Sequence, residues 1–340
     1  MINFGVIGYG YWGPNLVRNL AEAKGARVVA VSDLRAERRA LVERRFPGVR
    51  TTADGHEIAT AADIDAVVIA TPVSTHFELA LAALEAGKHV LVEKPMTQTA
   101  EQSLRLIEVA ERTGRVLMVD HTFIYTGAVR KLAEMVKGGD LGEVYYYDSA
   151  RVNLGLFQHD VDVLWDLAVH DLSIMDHLLD AEPVAVSANG ISHVPGSPEN
   201  IAYLTLFYDC NTISHINVNW LAPVKVRRTL IGGSSKMVVY DDLEPSEKIK
   251  VYDKGITVTG NTSRESIYEM LIGYRTGDMW CPKLDGREAL AIEIDHFVDC
   301  IETGARPVTD GALGLRVVRQ LEAASRSMRE RGRPIDIIRS

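Results

Sequence analysis

Val6-Ile7-Gly8-Tyr9-Gly10-Tyr11-Trp12-Gly13 sets three glycines in a G-x-G-x-x-G spacing between an apolar strand pattern and a helical one, and Asp33 follows at the end of the next apolar run. Few architectures use that combination. Gly8 permits a tight turn, Gly10 lets a pyrophosphate approach the backbone, and Gly13 lets the helix lie close on the strand, so that neighbouring N–H groups face the phosphates. Phe4 to Ile7 reads as a buried strand, Pro14 suits a first helical turn, and Leu16, Val17 and Leu20 give the helix an apolar face. The next strand, Arg27 to Ser32, delivers Asp33 to its carboxyl end, where open α/β sheets bind ligands.

These features predict a dinucleotide site contributed by Gly8, Gly10, Tyr11, Trp12, Gly13 and Asp33. The Asp33 carboxylate is placed to accept hydrogen bonds from a ribose diol and to repel a ribose phosphate, which favours NAD over NADP. Arg35 is either a partner for such a phosphate or a solvated helix charge. Arg38, Arg39, Arg44 and Arg45 crowd the same predicted helix and read as a solvated face.

At 340 residues, 46% hydrophobic and 24% charged, the chain can bury sizeable cores and is expected to form two domains. A formal charge of −9 argues against general affinity for nucleic acid or anionic membrane. Three widely spaced cysteines, Cys210, Cys281 and Cys300, speak against a disulfide framework or a zinc cluster, and no metal site is expected. The chain opens on a strand rather than a basic leader, and no apolar run approaches bilayer length, so a cytoplasmic protein is expected.

The pattern changes near residue 122. Before it, strands at 66–70, 89–92 and 116–119 alternate with helices at 77–86 and 100–113, the mark of a doubly wound parallel (Rossmann) sheet. Beyond a helix near 128–137, long strands dominate at 144–152, 184–191, 201–208 and 212–219, with partial polar–apolar alternation. This predicts an α+β domain with a large, mostly antiparallel sheet, closed by a late helix at about 287–302. The expected division is a dinucleotide-binding domain over 1–122 and a substrate-binding and oligomerisation domain over 123–340.

Three segments carry candidate chemistry. Thr71, Pro72 and His76 follow the fourth strand, and Glu93-Lys94-Pro95 ends the fifth, so these residues lie on the cofactor's edge of the sheet. An ammonium at Lys94 can hydrogen-bond a substrate hydroxyl and stabilise the alkoxide that develops as hydride leaves; alone, it also reads as a salt-bridged surface lysine. In the third segment, Asp166 and His170 are four apart, which on a helix puts a carboxylate where it can orient an imidazole suited to proton transfer near neutrality. Helix capping by Asp166 and a core role for His170 explain the same spacing.

Together with the closing stretch Glu293 to Pro307, these segments resemble the glucose-fructose oxidoreductase/inositol dehydrogenase/rhizopine catabolism (Gfo/Idh/MocA) family over nearly the whole chain. The resemblance implies that Lys94 and His170 act on a substrate hydroxyl with Asp166 beside them. Gly10-Tyr11-Trp12-Gly13-Pro14-Asn15-Leu16 and Asn153-Leu154-Gly155-Leu156-Phe157-Gln158, running into Leu164-Trp165-Asp166-Leu167-Ala168, resemble the branch that oxidises the C3 hydroxyl of a nucleotide sugar such as UDP-N-acetylglucosamine. By that resemblance Arg151, Asn153, Phe157 and Gln158 help shape the substrate site. Val169 and Asp120 depart from the branch, which has proline before the histidine and glycine before His121. Ketosugar reduction, inositol-type polyol oxidation and a non-catalytic regulator are the alternative activities. Family members associate as dimers or tetramers through the open face of the second sheet, so a homo-oligomer is expected.

Overall fold

β1 (Ile2–Ile7) is buried along almost its whole length, as a parallel strand covered on both faces must be. In this computed structural model residues 1–155, 161–179, 181–258 and 272–338 are described, with the backbone alone at 255–258 and 272–274. β2 (Ala26–Ser32), β3 (Arg50–Thr52), β4 (Ala66–Ile69), β5 (His89–Glu93) and β6 (Leu117–Asp120) join β1 in a six-stranded sheet ordered β3-β2-β1-β4-β5-β6. Every pairing in it is parallel. The strand order reverses at the β1/β4 junction, the topological switch point of a Rossmann sheet.

The crossovers are α1 (Gly13–Glu22), α2 (Ala36–Arg45), α3 (Gly55–Thr60), α4 (His76–Glu85) and α5 (Ala100–Thr113). Leu16, Val17 and Leu20 of α1 are fully buried, the consequence of their i, i+1, i+4 spacing. Thr99 caps α5 by accepting the Gln102 N–H, and Gly114 ends it in the left-handed conformation.

A second compact unit starts with α6 (Gly127–Lys137) and the long strand β7 (Val144–Leu154). A π-helical turn, Leu164–Ala168, then runs into α7 (Val169–Leu178). The strands β8 (Ala185–Ile191), β9 (Ile201–Phe207), β10 (Ile213–Asn219), β11 (Leu221–Gly233), β12 (Met237–Asp241) and β13 (Ile249–Tyr252) follow. β14 (Gly255–Val258) and β15 (Ile272–Arg275) form a separate ribbon, while β16 (Met279–Trp280) and the late β17 (Ile335–Asp336) are the two edges of the large sheet. Its order is β16-β13-β12-β11-β7-β10-β9-β8-β17, antiparallel throughout except where β10 runs parallel to β7. Alternation holds along the strands. Ala202, Leu204, Leu206, Ser214, Ile216 and Val218 are buried on one face, whereas Tyr203, Phe207 and Ile213 are exposed.

The division between units differs from the expected break at residue 122. One unit comprises Met1–Thr126 with Gly286–Glu322, and the other Gly127–Asp285 with Ala323–Ser340. The reason lies in α8 (Ala289–Thr303) and the start of α9 (Gly311–Arg329). The Phe297 ring meets Phe4 of β1 at 6.0 Å between centroids, and the Glu288 carboxylate takes two hydrogen bonds from Arg18. The Val119 N–H of β6 donates to Thr309 O at 2.8 Å, so the late helices complete the core of the first unit. Among the described residues no helix is long and apolar enough to cross a membrane.

Candidate functional site

In the first unit the three loop glycines meet three different surroundings. Gly8 has φ +99°, and a Cβ there would lie 2.4 Å from the Ala70 carbonyl oxygen. A Cβ on Gly13 would lie 2.2 Å from Gly8 O, so the first turn of α1 sits directly on the loop. At Gly10 a Cβ would meet nothing nearer than the Arg35 guanidinium at 3.5 Å, which leaves its face open to a ligand. This cradle, closing onto the N-terminus of α1, fits a dinucleotide pyrophosphate. Tyr11 projects outward, 90% exposed, so only its backbone belongs to the loop.

Asp33, at the end of β2, is tied into the same turn. Its Oδ2 accepts the Tyr9 N–H at 2.9 Å, and its Oδ1 accepts the Arg35 N–H at 2.9 Å and Arg35 Nε at 3.2 Å. Burial works against its charge, but these donors prevail and hold the carboxyl below its ordinary range. Arg35 is therefore the partner of Asp33, flanking the N-terminus of α2.

Thr71 and Pro72 lie beyond β4, next to the β1 loop across the switch point. His76 is buried, and its ring nitrogens face Thr71 O at 2.8 Å and Pro95 O at 3.0 Å. Its imidazole thus fastens the turn after β4 to the turn after β5. That second turn carries Lys94, joined to Pro95 by a cis peptide bond. Glu93 closes β5 in register with Asp120 of β6.

Asp120, in sequence only a departure from an expected glycine, is a meeting point of several side chains. Its Oδ2 accepts the Trp12 indole N–H at 2.7 Å and its Oδ1 accepts the Thr122 hydroxyl, although only 3% of the residue is exposed. Burial raises the Asp120 pKa, opposed by donors from Thr122, Trp12 and Glu293 and by the positive charge of Lys94. Glu293, from α8, is fully buried and among the described residues makes no hydrogen bond of standard geometry, yet it lies against Asp120 and Thr122. Burial, and then the Asp120 charge, push Glu293 well above the ordinary carboxyl range. His121 completes the cluster: both ring nitrogens are buried with no hydrogen-bond partner among the described residues, and burial, with Lys94 nearby, pushes its pKa down to about 3.

In the second unit, Asp166 lies in the π-helical turn and His170 is the second residue of α7. The π turn takes one residue more than an α turn, so the four-residue spacing falls short of a full turn at this point. Asp166 Oδ2 accepts the Trp220 indole N–H at 3.1 Å. Trp220 is itself only 1% exposed, so this carboxylate is held by a rigid anchor.

Arg151 is placed otherwise than a side chain lining an open pocket. Only 5% exposed, it donates from Nε to Asp171 Oδ2 at 2.7 Å and from a terminal nitrogen to Asp171 Oδ1 at 3.2 Å. Ser149 donates to the same carboxylate at 2.7 Å, forming a buried polar knot between β7 and α7. Asn153 is half-buried near the end of β7, opposite a β-bulge in β11. Phe157 and Gln158 lie outside the described residues.

Residues that sequence reasoning did not single out are Glu293, Trp220 and Asp171. Nothing in the linear pattern marks them, because their importance comes from side chains brought to them by the fold. Among the described residues no group of three or more His, Cys, Asp or Glu is placed to hold a metal.

Comparison with known proteins agrees with this geometry. Residues 2–121 match the profile described as oxidoreductase family, NAD-binding Rossmann fold, and residues 129–239 match the GFO/IDH/MocA C-terminal domain. The chain is 31% identical over 324 residues to UDP-N-acetylglucosamine 3-dehydrogenase of Acidithiobacillus ferrooxidans, covering 92% of this chain and 93% of that one. A solved structure of that enzyme superimposes with a TM-score of 0.78 at 28% identity, covering 96% of each chain. scyllo-Inositol 2-dehydrogenase (NAD(+)) of Bacillus subtilis is 25% identical over 332 residues, covering 93% of this chain and 90% of that one.

Proposed function

The chain belongs to the Gfo/Idh/MocA family of oxidoreductases, and from that premise we propose that it is an NAD-dependent dehydrogenase oxidising a sugar hydroxyl, at C3 of a nucleotide sugar such as UDP-N-acetylglucosamine. The observation that carries the reading is the position of Lys94. It follows the carboxyl end of β5, two strands from the glycine loop and on the same edge of the sheet. The similarity to the Acidithiobacillus enzyme supports the choice of substrate.

Bound NAD supplies the hydride acceptor. Gly8, Gly10 and Gly13 shape the cradle for its pyrophosphate, and Asp33 receives the ribose diol, its fixed negative charge selecting against NADP. His170 accepts the proton of the substrate hydroxyl, and Asp166, steadied by Trp220, favours the resulting imidazolium. Lys94 stabilises the negative oxygen that develops as hydride leaves the carbon. Asn153, Phe157 and Gln158 contribute to sugar selection, while Arg151 acts from behind by fixing β7 to α7. Copies of the chain associate through the sheet face that exposes Tyr203, Phe207 and Ile213. A polyol dehydrogenase of the inositol type is the second reading, favoured by the similarity to the Bacillus enzyme.

Turnover with UDP-N-acetylglucosamine, a thymidine-linked 3-ketosugar and inositol, each with NAD(H) and NADP(H), tests the proposal. The expected result is NAD-dependent oxidation of the first, lost by more than about a hundredfold in Lys94→Ala and in His170→Asn with NAD binding retained. Near-native turnover in either variant removes its assigned role. Turnover of inositol alone transfers the assignment to the second reading.

A further inference from the structure

A cluster of polar side chains in the first unit runs from the glycine loop to α8, and the hydride chemistry makes no use of its two buried acids, Asp120 and Glu293. Trp12 occupies the second x of the loop's last x-x-G and immediately precedes α1. Its indole N–H donates to Asp120 at 2.7 Å, a charge-assisted bond from the loop to the end of β6. Thr122 grips the other carboxylate oxygen, and Glu293 presses on the same group from α8. Lys94 is near enough for its charge to favour the ionised form of Asp120. Asp120, Thr122, Glu293, Trp12 and Lys94 all belong to one compact unit.

We propose that Asp120, backed by Glu293, is a positioning residue: it braces Trp12 so that the glycine loop and the N-terminus of α1 are held open for the pyrophosphate, and it supplies the counter-charge beside Lys94. The inference deepens the dinucleotide reading and rests on it. A free loop would have to be ordered when the cofactor binds, whereas an indole already anchored to a buried carboxylate removes that cost beforehand. Glu293 is fully buried beside Asp120, and burial together with the Asp120 charge favours its neutral form, so the two acids carry one negative charge between them. Glycine before His121, the residue seen in the resembling branch, offers neither the tether nor the charge.

The test is NAD affinity by isothermal titration calorimetry on the full chain, with folding checked by circular dichroism. Trp12→Phe keeps the ring and removes the donor, and it should weaken NAD binding about five- to tenfold. Asp120→Leu, which is similar in shape and has no acceptor oxygen, should weaken it at least as much, and the double variant should be no weaker than Asp120→Leu alone, since both remove one bond. Glu293→Gln, which retains an N–H to offer Asp120, should bind NAD more tightly than Glu293→Ala. Trp12→Phe and Asp120→Leu both within twofold of the wild type, or with fully additive losses, would overturn the proposal. Should Asp120→Leu not fold, Trp12→Phe and the two Glu293 variants decide it. Failure of the wild-type protein to bind NAD refutes the dinucleotide reading instead.

Discussion

Replacing each loop glycine by alanine separates two kinds of necessity, folding and ligand access. At Gly10 the new methyl meets only a guanidinium tip at 3.5 Å, and the backbone is outside the left-handed region. Losing glycine's freedom in the unfolded chain then stabilises Gly10→Ala by about 0.4–1 kcal/mol, a rise in Tm of roughly 1–4 °C. At Gly13 the methyl would stand 2.2 Å from a backbone oxygen that cannot swing aside, so Gly13→Ala must open the turn and should lose about 2–3 kcal/mol. Ligand binding should rank differently. The same methyl that is harmless in the free protein occupies the face a pyrophosphate needs, and forfeiting one charge-assisted hydrogen bond costs about 1.5–3 kcal/mol. NAD affinity of Gly10→Ala should therefore fall at least about tenfold. Thermal melts and NAD titrations on the two variants suffice. A Gly10→Ala protein that binds NAD within twofold of the wild type, or melts as low as Gly13→Ala, refutes the reasoning.

Two further outcomes follow from buried groups. Arg151→Met strands the Asp171 carboxylate in the core and should cost about 3–5 kcal/mol in urea unfolding, with part of the loss recovered by adding Asp171→Asn. His121 gives an acid limb to stability: its folded pKa is pushed down to about 3, chiefly by burial, while the unfolded chain takes up a proton near 6.5. Its contribution is complete above pH 6.5 and is lost as pH falls toward the folded pKa, with a slope approaching about 1.4 kcal/mol per pH unit. His89 and His177, both pushed down to about 4 mainly by burial, act in the same direction. Urea melts at pH 5 and pH 7 should show a smaller difference for His121→Phe than for the wild type, and an unchanged difference contradicts the assignment.

The dinucleotide half of the fold was readable because its determinants are local. Glycine spacing, a buried strand and a stop at Asp33 all lie within one short stretch, and α5 appears over the 100–113 range expected from its periodicity. Of the late helices only α8 was expected, at about 287–302, and not as a member of the first unit; α9 was not foreseen. An apolar stripe states that Phe297 is buried, and nothing in it names Phe4 as the surface that covers it. The partial alternation at 144–152 likewise announced β7, yet it could not show that Ser149 and Arg151 turn inward or that Arg151 spends its charge on Asp171.

The same limit explains Asp120. In the sequence it is a departure from an expected glycine, a change that reads as altered lining of a pocket. In the fold it is flanked by a donor from the loop, a hydroxyl two residues on and a second acid from a distant helix. A buried carboxylate is tolerated only where such partners converge, and convergence is a property of tertiary structure. Once the partners are known, the departure becomes intelligible: Trp12 has a donor that glycine at 120 would leave without this acceptor, and Glu293 has a proton that ionisation beside Asp120 would make costly to release. Trp12, Asp120 and Glu293 are thus physically interdependent, and replacing any one changes the conditions under which the other two are stable.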